Sequence, residues 1–386
     1  MALQINTLLT VLTLVALAAA GARANDAPVD SDLLQAFLVH RHGDRTPVET
    51  SLELSSHIEE LREATEPYGF GQLTNTGKQT AYRLGQSIRK RYGELISAHY
   101  NRSEIYIRST ASTRAKMTVL TAMAAVYPTG DDNWSDSLPW QPTPYTTVPA
   151  RYDPNLALLN CPTFIDFYTG KYQSASPAME PYTDVLNQWS KLLGFNITAQ
   201  PVQTYGVYDV YTSQISLGVP LGDELQALLP SIRDAAGEAI DILFGDDDNV
   251  VLQAGVMLKD VVTAMSSTVN GEVSQPLHVY SGHDYNVYSV MAAARVTPRQ
   301  GVPPYGAVFA LELRKRTNNG AYGVLPVYQS SPDAELMYLQ VEGCSALLCP
   351  LDEFVSITAP FVMDEDTWRE KCGYTDDLVI DDSIIA

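Results

Sequence analysis

Apolar positions along the chain follow two periods. Leu33–His40 is a short, mostly apolar run that suits a strand buried in a sheet. The run stops at Arg41-His42-Gly43-Asp44-Arg45-Thr46-Pro47, where Gly43 permits a tight turn and Pro47 forbids further ladder. Ser55–Pro67 is polar and reads as a short helix or lid-like loop. Beyond it the period becomes helical. Ala81, Leu84, Ile88, Tyr92 and Leu95 share one face, and Thr76 and Gln79 have capping-box spacing. Glu104–Ile107 predicts a second strand, ending at Arg108-Ser109-Thr110. The next helix is predicted to be capped by Thr110 or Thr113, to bury Met117, Leu120 and Ala124, and to close at Pro128. Pro276–Tyr280 predicts a third strand, ending in Ser281-Gly282-His283-Asp284. Ala307–Leu313 and Tyr322–Tyr328 read as two more strands, joined through the hairpin signal Asn318-Asn319-Gly320.

Between the second and third strands the pattern changes. Residues 128–154 are rich in proline and predict a long crossing segment. Residues 155–250 show no strong period-2 strand but contain an amphipathic helix, Asp223–Phe244, with Leu225, Leu228, Leu229, Ile232, Ala236, Ile240 and Leu243 on its apolar face. Asp246-Asp247-Asp248 ends that region as a polar turn without the spacing of a calcium loop. Helical patterning resumes at Val251–Met265. The expectation is an α/β domain made of 25–154 plus 251–386, interrupted by a mostly helical cap over 155–250.

Composition adds a compartment. Leu8–Ala20 is apolar but short for a bilayer span, and Ala22-Arg23-Ala24 is a small-x-small cleavage site, so 1–24 reads as a signal peptide. Neither another apolar run nor the final residues look like a membrane anchor. Secretion is expected, with the lysosomal lumen as the alternative. Four cysteines, Cys161, Cys344, Cys349 and Cys372, suit two disulfides in such a compartment, with three pairings open. The short loop makes Cys344–Cys349 the natural local pair, leaving Cys161–Cys372. Zinc-like spacing is lacking, so no metal is expected. Asn101, Asn133 and Asn196 begin glycosylation sequons. With 25 Lys+Arg against 45 Asp+Glu, the formal charge of −20 disfavours nucleic acid and anionic membranes as partners.

Against that acidity, arginines gathered at strand ends stand out. In open α/β sheets ligands sit beyond the carboxyl ends of strands. Three such ends offer Arg41, His42 and Arg45, then Arg108, then His283 with Asp284. Guanidiniums are planar donors that match phosphate, and a histidine beside them is a nitrogen nucleophile. His40 and His278 lie within strands and are expected to pack there; Asp44 is expected to buttress its neighbours.

The seven residues Arg41–Pro47 resemble the signature of the histidine acid phosphatases, of the prostatic and lysosomal type. The His283-Asp284 pair resembles that family's second signature. The likeness extends over Gly69–Tyr92, the region of Cys161, Pro303–Gly306 and the Cys344–Cys349 loop. It implies a phosphoglycerate-mutase-like, three-layer α/β/α core with an inserted cap. It also implies the same disulfide pairing, no cofactor, and small phosphomonoesters, with phosphoproteins beside them, as substrates. A homodimer is left open. With the strand ends converging, His42 is expected to attack phosphorus, Arg41, Arg45 and Arg108 to hold the phosphoryl oxygens, His283 to add a hydrogen bond, and Asp284 to protonate the leaving oxygen. Tyr285-Asn286 departs from the Thr-Thr usual in those relatives and is reminiscent of phytases. A phytase is therefore the nearest rival, although residues 151–250 hold only Arg151, Lys171, Lys191 and Arg233 as basic residues against 13 acidic ones. A secreted interaction protein with little catalysis is the rival from another class.

Overall fold

A computed structural model describes residues 27–381 apart from Ser56, Asp131, Asp132 and Val273. The expected signal peptide and the last five residues lie outside the described residues. Strands β1 (Ser31–Arg41), β2 (Ile105–Ser109), β3 (Thr146–Thr147) and β4 (Leu277–Gly282) are joined by a small β5 (Val296–Thr297). There follow β6 (Val308–Arg316), β7 (Tyr322–Gln329), β8 (Met337–Tyr338), β9 (Gln340–Val341) and β10 (Cys349–Pro350). The main sheet runs β10-β7-β6-β1-β4-β2-β3, with β8 beside β7. Its β1, β4, β2 and β3 are mutually parallel. The hairpin read around Asn318-Asn319-Gly320 is β6–β7, and it adds antiparallel to β1. The sheet is therefore mixed, with its parallel half carrying the predicted strand ends.

The period of 2 in β1 explains the layering. Ala36 and Leu38 pack with Leu84, Ile88, Val119 and Met123, on one face. Phe37 and Val39 pack on the other, with Met257, Leu258, Val290 and Phe309. The first face is covered by helices α2 (Asn75–Tyr92) and α3 (Thr113–Val126), which follow the short α1 (Ile58–Thr65). The polar segment before α2 thus contains a short helix, one of its two expected forms.

Three details of these helices depart from expectation, the first being that Ser112, and neither Thr110 nor Thr113, stands at the N-cap of α3. The cap of α2 is Thr74, whose hydroxyl accepts from Gly77 N at 3.1 Å, two residues before the predicted Thr76. In α3, Leu120 is exposed, and the buried face is instead Arg114, Ala115, Thr118, Val119, Ala122 and Met123. Close helix approach decides this. A Cβ at Gly85 of α2 would lie 2.0 Å from Ala122 O, so the face of α3 that holds Ala122 meets α2 and Leu120 is left outward.

Between β3 and β4 the described residues form no strand. They contain α4 (Ala157–Asn160), α5 (Pro162–Tyr172), α6 (Thr183–Leu193), α7 (Thr204–Ser216), α8 (Asp223–Phe244) and α9 (Val250–Val269). Their buried residues, Phe164, Trp189, Tyr211, Ile240 and Phe244 among them, share one apolar cluster with Phe37 and Val39 of β1. Helix α10 (Asp284–Ala293) follows β4, and α11 (Leu351–Thr358) and α12 (Glu365–Cys372) end the described chain. Cys161–Cys372 ties the end of α12 to the start of α5, and Cys344–Cys349 closes a five-residue separation. Both pairs are those expected.

Candidate active site

The carboxyl ends of β1, β4 and β2 lie side by side, because Arg41 pairs with Gly282 and Ser109 with Ser281. The turn after β1 is pressed against the start of α2. A Cβ at Gly43 would stand 2.2 Å from Gly77 O, and one at Gly77 would stand 2.0 Å from Asp44 O. Two facing glycines alone permit that approach. Asp44 pins the turn by accepting from Thr80 Oγ1 at 2.6 Å and Ser216 Oγ at 2.9 Å. It buttresses, as expected.

His42 is buried at the centre of the group. Its Nδ1 lies 2.8 Å from Gly43 O, which assigns the ring proton to Nδ1 as donor. Nε2 thus keeps its lone pair and accepts from Arg114 Nε at 3.3 Å. Burial first, then the charge of Arg114, then His283, Arg41 and Arg45, push the pKa of His42 well below the ordinary histidine value. A neutral imidazole whose unprotonated nitrogen faces guanidiniums is a nucleophile poised for an anion. His283, the residue capping α10, lies edge-on to His42 with centroids 5.4 Å apart, and its Nε2 is 3.2 Å from Thr110 Oγ1. Its pKa is also driven well down, by burial and then by Arg114, Arg45 and Arg41.

The guanidiniums are held from several sides. Arg41 donates from Nη1 to Pro303 O at 2.8 Å, and lies 4.3 Å over the ring of Tyr305. Its Nη2 reaches Asp284 Oδ2 and Asp209 Oδ1, each at 3.0 Å. Arg45 donates to Thr46 O at 2.8 Å and to Asp209 Oδ2 at 2.6 Å. Asp284 opens α10, and its Oδ1 accepts from Tyr205 Oη at 3.0 Å and from Tyr285 N at 2.8 Å. Tyr205 and Asp209 both come from α7, so the inserted helices supply one wall.

The structure brings together Arg41, His42, Arg45, His283 and Asp284, and leaves Arg108 out. Arg108 Nη2 donates to Asp153 Oδ1 at 2.6 Å. The cations acting on His42 are Arg114, Arg41 and Arg45 instead. Alternation explains the correction. Ile105 and Ile107 of β2 face α2 and α3, so Arg108 shares the opposite face with Tyr106. The arginine at the site is Arg114, the second residue of α3, buried and beside His42. No sequence motif marks it; the packing of α3 against the turn after β1, where Thr118 Oγ1 accepts from Gly43 N at 3.1 Å, brings it to the site. Asp209, Tyr205 and Tyr305 were not legible as site residues at all.

His40 and His278 are packed strand histidines: His40 is fully buried, and His278 stacks on Phe37 at 4.3 Å. Asn101, Asn133 and Asn196 are exposed. Among the described residues, the one group of His, Cys, Asp and Glu close enough to share an ion is Cys344, Cys349 and Glu353, and its two sulfurs are bonded to each other.

Comparison with known proteins agrees with this geometry. The chain is 31% identical over 350 residues to prostatic acid phosphatase of Bos taurus, covering 87% of this chain and 86% of that one. It is 28% identical over 364 residues to lysosomal acid phosphatase of Rattus norvegicus, covering 90% and 82%. The apo phytase of Hafnia alvei superposes with a TM-score of 0.64 over 90% of this chain and 99% of that one, at 15% identity, a likeness of fold alone. The family model of the histidine phosphatase superfamily (branch 2) matches residues 32–324, from β1 into β7 and across every residue of the site. A match of that extent, on a chain whose strand ends converge as described, places this protein in the histidine phosphatase superfamily, branch 2.

Proposed function

We propose that this protein is a secreted acid phosphatase that hydrolyses phosphomonoesters through a phosphohistidine on His42. The observation that carries the reading is the lone pair of His42 Nε2, facing inward among Arg41, Arg45 and Arg114 while Nδ1–H is spent on Gly43 O. The three guanidiniums hold the phosphoryl oxygens and offset the charge that gathers in the transition state. Nε2 attacks phosphorus and the ester P–O bond breaks. The proton of Asp284 passes to the leaving oxygen, and the alcohol departs. The Gly43 carbonyl, facing Nδ1–H, stabilises the positive ring that carries the phosphoryl group. Water then attacks phosphorus, its proton returns to Asp284, and the P–N bond breaks to release phosphate. His283, beside both His42 and Thr110, is placed to hydrogen-bond the transferred group.

Residues 155–250 act in this reading as a cap over the strand ends. Their 13 acidic residues, counted with residues 151–154 and set against four basic ones, favour a small monoester over an inositol polyphosphate. The two disulfides and the exposed sequons support passage through a secretory compartment. The test is chemical trapping. Wild-type protein mixed with a radioactive phosphomonoester and quenched should hold an acid-labile, base-stable label, and His42→Ala should hold none and turn over nothing. Full activity in the variant would remove the mechanism.

A further inference from the structure

The two oxygens of Asp284 have different partners. Oδ1 accepts from Tyr205 Oη at 3.0 Å and from the backbone N–H of Tyr285 at 2.8 Å. Oδ2 meets Arg41 Nη2 at 3.0 Å. A carbonyl oxygen has two lone pairs, and a carboxyl hydroxyl oxygen keeps an acceptor site beside its proton. With both lone pairs of Oδ1 engaged by donors, a proton added to this carboxyl has room on Oδ2 alone. Oδ2 can carry that proton and still keep its contact with Arg41.

The hydroxyl of Tyr205 is a donor because of its surroundings. Burial, then the charges of Asp284 and Asp209, hold its pKa well above the ordinary tyrosine value. It therefore keeps its proton through acid and neutral pH and gives it to Oδ1 as a hydrogen bond. Its ring packs edge-on to Phe244, with centroids 5.9 Å apart. Asp209 follows one turn later on α7, and its Oδ1 meets Arg41 Nη2 at 3.0 Å. Helix α7 thus addresses both oxygens of Asp284. It reaches Oδ1 directly through Tyr205, and Oδ2 through the guanidinium that Asp209 holds.

We propose that Tyr205 is a positioning residue for protonation of the leaving group: its hydroxyl joins the amide of Tyr285 on Oδ1 and confines the transferable proton to Oδ2. This rests on the phosphatase reading and deepens it. In the first step the P–N bond to His42 forms and the ester P–O bond breaks, while the proton on Oδ2 passes to the leaving oxygen. The carboxylate left behind keeps both hydrogen bonds at Oδ1. In the second step water bonds to phosphorus and returns a proton to Oδ2 as the P–N bond breaks. Without the Tyr205 hydroxyl, Oδ1 regains a free lone pair, the proton divides between two oxygens, and the carboxyl can turn. That loss falls on the leaving group and not on the hold of the arginines on phosphate.

The experiment compares kcat/KM, which reports the steps up to phosphoryl transfer, for glycerol phosphate and para-nitrophenyl phosphate at one acidic pH. Tyr205→Phe keeps the ring against Phe244 and removes the hydroxyl. It should lower kcat/KM for glycerol phosphate by about tenfold or more, a part of what a general acid contributes. The nitrophenyl ester should lose far less, because nitrophenolate departs with little help. Inhibition by inorganic phosphate should stay near wild type. In an Asp284→Asn background the same substitution should add no further discrimination between the two esters. Equal losses for both esters, no loss for either, weakened inhibition by phosphate, or discrimination that persists beside Asp284→Asn would each overturn the proposal and leave the phosphatase reading intact. A wild-type protein that hydrolyses neither ester would remove that reading and this inference together.

Discussion

Arg114 and Arg108 carry the same charge in opposite settings. Arg114 is fully enclosed, with burial and then Arg45 lowering its pKa to about 10, so it remains a cation throughout the acidic and neutral range. Asp209 and Asp284 are among the groups that partly offset this, and a phosphate beside it would do more. Arg108 has its own partner, Asp153, whose pKa is raised by burial in spite of Arg108 and Asn155. Substitution should separate the two. Arg114→Ala should weaken inhibition by phosphate or vanadate and depress kcat/KM by about 10- to 150-fold, the loss of one charge-assisted hydrogen bond of roughly 1.5–3 kcal/mol. Arg108→Ala should leave phosphate inhibition near wild type and act on stability, because it strands a buried Asp153. Equal inhibition constants for wild type and Arg114→Ala would return the third phosphate donor to an open question. At this scale the sequence was legible where a motif was contiguous, as in Arg41–Arg45 and His283-Asp284. It misled where two arginines lay six residues apart on different elements, since only the facing of β2 and the pitch of α3 distinguish them.

Among the elements, the junction of the first loop with α2 is the tightest. Gly77 sits in the first turn of α2 against the backbone of Asp44, within a turn that also orients His42 and Arg45. Gly77→Ala would force backbone apart from backbone, which costs about 1–3 kcal/mol or more, and would shift the phosphate-binding loop with it. Thermal or denaturant unfolding should show that loss, accompanied by a fall in kcat/KM. Gly170→Ala in α5 is the control, because a Cβ there meets nothing within 4 Å. It should be neutral or stabilising by up to about 1 kcal/mol. If both variants unfold alike, the facing glycines do not set the loop. The pattern of apolar residues located both α2 and α3, but only the approach of Gly85 to Ala122 selected which side of α3 is inward.

For the molecule as a whole, acid acts in two directions. Protonating carboxylates relieves the self-repulsion of a chain with a formal charge of −20. Buried histidines work the other way. His40 is held down to about 4 by burial, against a hydrogen bond to the carbonyl of Arg41. In the unfolded chain it would titrate near 6.5. Between those values the unfolded state binds a proton that the native state refuses, so stability is fully present above about pH 6.5 and is lost as pH falls toward 4. The loss from this one ring is on the order of 3 kcal/mol. His40→Gln should therefore shrink the difference in unfolding free energy between neutral pH and about pH 4.5 by roughly 2 kcal/mol, measured by urea denaturation with the disulfides intact. An unchanged difference would mean that the folded protein accepts the proton.

Taken alone, the sequence determined the strands that carry the site, the helical character of the insertion and the disulfide pairs. The strands and the helices depend on local properties, the apolar run Leu33–His40 and the period of 3.6 in Asp223–Phe244, and the short span from Cys344 to Cys349 leaves Cys161 to pair with Cys372. The tertiary structure alone decided that β6 and β7 extend the sheet antiparallel, that Arg114 rather than Arg108 reaches His42, and that Asp209 closes on Arg41 and Arg45. Those outcomes turn on which face of one element meets another. A residue 164 positions from its partner, as Asp209 is from Arg45, leaves no periodic or local trace, because only the packing of α7 over the strand ends brings the two charges together.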